Sequence, residues 1–339
     1  MAACFRVLIP IILEGHYRPQ PPRKVEIAKT GGGTRELRLQ VVVDRIIARM
    51  LYEAICPYVD SRFVSWSFGF RPNKSTYSLL AKLKVHAEAN SHFVVTTDDV
   101  RKAFDCVPIE PLLENLAEVL RDHHYLNQIA AIVRKKNDDG KEIATGIDQG
   151  NALSPLLLNL FLHMRLDILL AEEAHHPSQP FRYADNVGHL TWDAREGQRL
   201  LDCTREFLLQ AGLSLKGAPG RPVDLRDEPQ ALLGFDVSAR GDRVHLEVSN
   251  EAWEELKTEL NNAHTDPNPP KRVNSIVQGW ISSTGPALDH RTESTTRHVN
   301  QHLSATGFKE IISKDTLRRW IADSLNSWYR ILHRTEKNH

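Results

Sequence analysis

Apolar positions along this chain switch between a helical and a strand-like period, and the switches outline a mixed α+β fold. Helix-like spacing predicts helices near residues 36–58 and 74–88, and again from Leu112 to about Lys136. Between them, Phe93-Val94-Val95-Thr96-Thr97 is a β-branched and aromatic run that predicts a strand ending at Asp99. Ser154-Pro155 is a favourable helix start. The helix it opens runs to about Ala174, with Leu156, Leu157, Leu160 and Met164 at core spacing. Another helix is expected from Ala194 to Ala211, packed with the first behind the sheet.

Phe181-Arg182-Tyr183 and Val187-Gly188-His189-Leu190 flank the polar centre Ala184-Asp185-Asn186. This predicts a β-hairpin with an aspartate at its tip, because Asp and Asn tolerate the positive φ of tight turns. Leu232 to Val237 and Val244 to Val248 predict a second hairpin around Ala239-Arg240-Gly241-Asp242. From Trp253, Leu256 and Leu260 onward the pattern is helical to the C-terminus, past Asp266-Pro267-Asn268-Pro269-Pro270, the best internal boundary. Trp280, Trp320, Trp328 and Tyr329 are expected to anchor helix packing, with stacking on nucleic acid as the other reading.

The chemistry concentrates at two acidic stretches, Thr97-Asp98-Asp99-Val100-Arg101-Lys102-Ala103-Phe104-Asp105 and Arg182-Tyr183-Ala184-Asp185-Asn186. If folding brings Asp99 and Asp185 together, two carboxylates from separate strands suit divalent metals and phosphoryl transfer. Taken singly, each is as well explained as a solvated or capping carboxylate. The motifs around them change that balance. A polar glycine loop, Gly146-Ile147-Asp148-Gln149-Gly150-Asn151-Ala152-Leu153-Ser154-Pro155, leads into the apolar helix. Upstream stand Asp44-Arg45 and Ser67-Phe68-Gly69-Phe70-Arg71-Pro72, and downstream Leu232-Leu233-Gly234-Phe235.

In this order and spacing the ensemble resembles the reverse transcriptases of group II introns and their relatives. The resemblance runs from Gly15-His16-Tyr17-Arg18-Pro19 to Gln278-Gly279-Trp280-Ile281. It implies a right-hand polymerase fold: fingers and palm over residues 1–235, with an antiparallel sheet packed on helices, then a mostly helical, maturase-like thumb over 236–339. It also implies RNA-directed DNA polymerase activity, with Mg²⁺ or Mn²⁺ as cofactor. Asp99 and Asp185 take the catalytic and metal-binding places, with the Val100 carbonyl and Asn186 beside them. Phe104 takes the position against the sugar of the incoming nucleotide, where it excludes a 2′-hydroxyl; a core phenylalanine is the alternative. Gln149 and Gly150 match the loop beneath template and nucleotide, where glycine allows close backbone approach. Lys29 and Arg35 flank Gly31-Gly32-Gly33 and are placed to meet a triphosphate, or else form a solvated basic loop. Arg71 is placed in the fingers, as a template contact or a structural ion pair. Asp98 and Asp105 are read as structural. The implied partners are an RNA template, a DNA or RNA primer, deoxynucleoside triphosphates and intron or other structured RNA; no membrane is expected.

Four departures qualify the resemblance. Asn186 replaces the second aspartate of Tyr-Ala-Asp-Asp and removes one negative charge. Asp148 stands where relatives usually have proline. Lys216-Gly217-Ala218-Pro219-Gly220-Arg221 replaces the region of a Lys-Thr pair, leaving Lys216 or Arg221 as out-of-register substitutes. The chain also begins close to the first fingers motif and ends soon after the thumb, so no DNA-binding or endonuclease appendage is expected. These departures keep two alternatives open: a maturase-like RNA-binding protein with weak or lost polymerisation, and a relic with neither function.

Composition adds bounds. The 339 residues, 41% hydrophobic, suffice for such a core plus a smaller helical domain. With 43 basic and 43 acidic residues the net charge is zero, which argues mildly against general nucleic-acid binding by counterion release. Basic residues still gather near both ends, among them Arg18, Arg23, Lys24 and Arg38, and Arg318, Arg319, Arg330 and Arg334. Cys4, Cys56, Cys106 and Cys203 show no metal-ligand spacing and suit reduced thiols in a cytoplasmic protein. The N-terminal apolar run Val7–Leu13 is short and broken by Pro10, too short to span a bilayer.

Overall fold

A computed structural model describes residues 10–12, 14–28, 34–136, 139–174, 177–217, 220–288 and 292–338. Strands β1 (Arg23–Ala28) and β2 (Thr34–Leu39) pair antiparallel and lead into helix α1 (Val42–Asp60), followed by α2 (Thr76–Asn90). Strand β3 (Val94–Asp99) runs through a short α3 (Ala103–Cys106) into α4 (Ile109–Val119) and α5 (His123–Val133). Two-residue strands β4 (Lys135–Lys136) and β5 (Glu142–Ile143) pair ahead of α6 (Ser154–Glu173), which contains a π-helical stretch, His163–Asp167. Then come β6 (Gln179–Tyr183), β7 (Asn186–Thr191), α7 (Ala194–Gln210), β8 (Val223–Asp224), β9 (Gln230–Leu232), β10 (Phe235–Arg240) and β11 (Arg243–Val248). Four helices close the chain: α8 (Asn250–Asn262), α9 (Pro269–Leu288), α10 (Thr292–Ala305) and α11 (Lys314–Lys337).

The central sheet is antiparallel, in the order β6-β7-β3-β8. Most of β7 is buried on both faces, so its polar residues, His189 and Thr191 among them, are enclosed along with Val187 and Leu190. Gly188 is required there: a Cβ would come within 2.3 Å of the Phe181 ring and 2.6 Å of the Thr96 carbonyl. His189 is fully buried between two hydroxyls. Its Nδ1 lies 2.8 Å from Thr96 Oγ1 and its Nε2 3.1 Å from Thr204 Oγ1. Because Thr204 donates to the Leu200 carbonyl, it accepts from Nε2–H, which leaves Nδ1 to accept from Thr96. Burial, and then the charge of Arg199, hold this imidazole neutral, with its pKa lowered to about 3.

Helix α6 is long and apolar enough to cross a membrane by length and composition, but 67% of its apolar window is buried inside the protein. Leu156, Leu157, Leu158, Leu160 and Phe161 form the heart of the main core, which explains the hydropathy without a bilayer.

Three expected elements differ. Residues 36–39 belong to strand β2, and the helix begins only at Val42, because Arg38 backbone N–H donates to the Gln149 carbonyl in the neighbouring loop at 3.3 Å. The helix expected over 112–136 is broken at Leu120, whose backbone is extended; Asp122 then starts a new helix by accepting from His124 N–H at 2.8 Å. The junction expected between residues 235 and 236 falls inside a sheet, since β10 pairs with both β9 and β11. Val237, Ala239 and Val244 accordingly pack with the main core. A second core begins with Leu256 on α8 and includes Val273, Val277, Ile281, Leu303, Leu317 and Ile321. The two are joined through Tyr77 of α2. Its hydroxyl donates to the Ser282 carbonyl at 2.5 Å, accepts from Gly285 N–H at 2.9 Å and lies 2.8 Å from Ser324 Oγ.

Candidate active site

Asp185 sits in the two-residue turn between β6 and β7, closed by the Tyr183–Asn186 pair. The left-handed residue is Ala184, at φ 56°, and not Asp185 or Asn186 as the Asx preference suggests. An alanine in that region carries a local cost of about 1–2 kcal/mol, so the surroundings must impose it. They do so from below. Arg182, wholly buried, donates from Nε and Nη2 to the two oxygens of Asp167 at 2.8 and 2.6 Å, and from Nη1 to Asn159 Oδ1 at 2.7 Å and the Ala184 carbonyl at 2.9 Å. From the side, Gly69 meets the turn so closely that a Cβ would fall 2.2 Å from Ala184 N. Asn159 fixes that glycine by donating to its carbonyl at 2.7 Å. Phe68 N–H and Arg182 N–H exchange bonds with the Arg182 and Trp66 carbonyls at 2.8 and 2.9 Å.

β3 delivers Asp99 to the same edge. Asp99 and Asn186 are cross-strand partners, so their side chains share one face, and Val100 N–H donates to the Asp185 carbonyl at 2.9 Å. Lys216 comes from the far side: its backbone N–H donates to the Asp99 carbonyl at 2.8 Å, and its ammonium donates to Asp99 Oδ2 at 2.6 Å. The hydrogen bond to Asp99, reinforced by the charges of Asp99, Asp185 and Asp98, raises the Lys216 pKa. Asp98 has a structural part, with Oδ1 accepting from Asp99 N–H at 2.7 Å and both oxygens accepting from Gly217 N–H.

The donor set here is two carboxylates, an amide and main-chain carbonyls, all hard oxygen donors that suit Mg²⁺ or Mn²⁺. The Lys216 ammonium already lodged against Asp99 is a cation standing at this point, and it shows that the field of Asp99 and Asp185 attracts positive charge. Among the described residues no cluster of three or more His, Cys, Asp or Glu side chains forms a closed metal cage.

Beside the carboxylates lies a cleft of about 650 Å³, lined by Val100, Phe104, Gln149, Asp185 and Lys216, and by Phe70, Lys102 and Lys135, which the sequence did not single out as site residues. Phe104 is half-buried, its carbonyl accepting from Ile147 N–H at 2.8 Å, so the aromatic and the glycine loop are one wall. Gly150 has φ 101°, a conformation that requires glycine. Asp148 is buried and accepts from Lys135 Nζ at 2.7 Å, with Arg38 Nη1 at 3.7 Å. The carboxylate that replaces proline thus ties β4 and β2 to the glycine loop.

Arg71 is placed otherwise than a template contact requires. Its side chain is 7% exposed and makes five hydrogen bonds, to Asp60 Oδ1, Oδ2 and carbonyl and to the Val64 and Ser67 carbonyls. A guanidinium has five N–H donors, so none remains for a phosphate; Arg71 is a strut of the loop bearing Gly69. Arg35 lies on β2 opposite Ile27, and Lys29 lies outside the described residues. Of the two out-of-register substitutes, Lys216 reaches the site, while Arg221 pairs with Glu228 at 2.6 Å. Tyr17 and Asp44, from two of the resemblance motifs, bond to each other, and Gln20 N–H donates to Asp44 at 2.8 Å. Lys135 escaped sequence reading because the segment reads as helix. Phe70 was visible in its motif, but nothing in the pattern shows that it faces the cleft.

Residues 27–218 match the family model described as reverse transcriptase (RNA-dependent DNA polymerase). The chain is 31% identical over 235 residues to the putative COX1/OXI3 intron 2 protein of Saccharomyces cerevisiae, covering 66% of this chain and 25% of that one. It is 29% identical over 163 residues to the group II intron-encoded protein LtrA of Lactococcus lactis subsp. cremoris, covering 46% and 26%. The chain spans less than half the length of the curated relatives it matches. In fold it is similar to apo telomerase from Candida Tropicalis, with a TM-score of 0.52 at 12% identity, covering 95% of this chain and 67% of that one. The architecture is the right-hand polymerase fold.

Proposed function

This chain belongs to the reverse transcriptase (RNA-dependent DNA polymerase) family, of the group II intron type, and on that premise we propose that it extends a primer with deoxynucleotides on an RNA template. The observation that carries the reading is the meeting of Asp99 and Asp185 at one edge of the central sheet, beside a cleft whose other wall bears Phe104 and Gln149.

Family membership implies use of a divalent metal. In this reading Asp99 and Asp185, with the Val100 carbonyl and Asn186, hold Mg²⁺, which when bound supplies charge stabilisation at the attacking and leaving oxygens. The chain's own residues do the rest. The buried Arg182–Asp167 pair holds the turn that aims Asp185. Phe104 borders the sugar edge of the cleft and Gln149 lines it, with Gly150 next to Gln149 in the same loop. Fingers and palm occupy the N-terminal part of the chain and a helical thumb follows the β10–β11 hairpin. The template and primer run between them, and a cytoplasmic location agrees with the free thiols of Cys56, Cys106 and Cys203.

A second reading, a maturase-like RNA-binding protein with little polymerisation, is favoured by Asn186 in place of a carboxylate and by Lys216 seated on Asp99. Primer extension by purified protein on an annealed RNA template with deoxynucleotides and Mg²⁺ separates the two. Template-directed extension supports the polymerase. Binding of structured RNA that survives Asp185→Ala, with no extension by folded wild type, supports the second reading.

A further inference from the structure

Phe70 combines three features that a purely structural residue rarely shares. Its side chain is 48% exposed although it is large and apolar. Its backbone is left-handed, at φ 57°, where a phenylalanine is an outlier. It lines the same cleft as Asp185 and meets Phe104 edge to face, with ring centroids 6.2 Å apart and planes at 74°. Exposure is not the result of looseness. The preceding residue, Gly69, is locked against Ala184 and bonded to Asn159, and the following one, Arg71, has all its donors engaged. The chain therefore holds a strained residue rigidly in order to present its ring to the cleft.

Resting on the polymerase reading above, we propose that Phe70 is a positioning residue for nucleotide choice: its ring backs Phe104 and fixes the width of the gap that accepts a 2′-deoxyribose and rejects a ribose. An edge-to-face neighbour restrains a ring against rotation and displacement. Phe104 is only half-buried on its own α3, a single helical turn, and the Phe70 ring meets it edge to face. The same loop touches the turn of Asp185 through Gly69, so sugar selection and carboxylate placement share one support.

The test is equilibrium binding of a deoxynucleoside triphosphate and its ribonucleotide counterpart, with Mg²⁺, to the full chain on a dideoxy-terminated primer and RNA template. Wild type, Phe70→Ala and Phe70→Leu are compared, with melting temperatures as a folding control. Wild type is expected to prefer the deoxynucleotide, and Phe70→Ala to narrow that preference by about fivefold or more through tighter ribonucleotide binding, with Phe70→Leu between them. A structural role would weaken both nucleotides in proportion. An unchanged ratio in folded Phe70→Ala overturns the proposal while the polymerase reading stands. Should wild type discriminate in binding yet fail to extend an unblocked primer, the polymerase reading falls and the ratio still judges Phe70. Wild type that binds neither nucleotide overturns both, and wild type that binds both equally overturns the proposal alone.

Discussion

The Lys216 ammonium stands 2.6 Å from Oδ2 of Asp99, so the acidic edge of the sheet is balanced by a cation from the protein itself. Asp99 is 30% and Lys216 54% exposed, and a pair so open to solvent contributes little to stability, ~1 kcal/mol at most. Its consequence lies in competition: a divalent ion that takes up Asp99 must displace the ammonium.

Lys216→Ala is therefore expected to melt slightly lower than wild type without divalent ions and to gain more from Mg²⁺ than wild type does. Thermal melts across a Mg²⁺ titration check this. A gain equal to or smaller than that of wild type contradicts it.

Asn186 lies directly across from Asp99, where a second aspartate would face it with like charge. Asn186→Asp should cost ~0.2–1 kcal/mol in metal-free protein, the scale of directly opposed like charges. Mg²⁺ should reverse that cost, and the rate of primer extension should rise. Melting with and without Mg²⁺ reads the first effect and single-turnover extension the second; no gain in rate would mean the amide serves as well as the carboxylate.

Arg182 and Asp167 are both fully buried, and removing one partner leaves an uncompensated charge in the core. Arg182→Met should destabilise the fold by about 3–5 kcal/mol, whereas the double change Arg182→Met with Asp167→Leu should recover much of it. Urea unfolding of the three proteins decides. A double variant no more stable than the single one would show that the pair's hydrogen bonds to the Ala184 turn matter more than its charge balance.

His189 gives the protein an acid limit. Burial holds its pKa at about 3 in the folded state against 6.5 unfolded. Between those values the unfolded chain binds a proton that the folded chain refuses. The stability from neutral His189 is thus fully present above about 6.5 and is lost toward pH 3, at up to ~1.4 kcal/mol per pH unit. His189→Gln should flatten the fall in unfolding free energy over this range relative to wild type. Parallel curves would contradict the assignment.

Much of this was legible in the sequence because it rests on local pattern. The strand ending at Asp99, the Phe181–Leu190 hairpin and the apolar α6 are written in period and residue type, whereas the adjacency of Asp99 and Asp185 was conditional on the fold and rested on the resemblance. What was not legible depends on distant partners. Positive φ at Ala184 follows from Arg182, Asn159 and Gly69, and no propensity scale carries it. Arg71 stayed open between a template contact and a structural ion pair because sequence cannot count the acceptors that fold around it. Lys216 looked out of register because the bridge of Val100 to Leu215, which brings it to Asp99, spans more than a hundred residues. Residues 36–39 of β2 were taken for helix, where pairing with β1 and the bond to the Gln149 carbonyl outweigh local preference.

The central claim is that Asp99 and Asp185 together support nucleotidyl transfer. The most direct measurement is single-turnover primer extension on an RNA template with Mg²⁺ by wild type, Asp99→Ala and Asp185→Ala, each shown to be folded by its melting curve. The account predicts extension by wild type and none by either variant. Extension retained by either variant, or none by folded wild type, would contradict it.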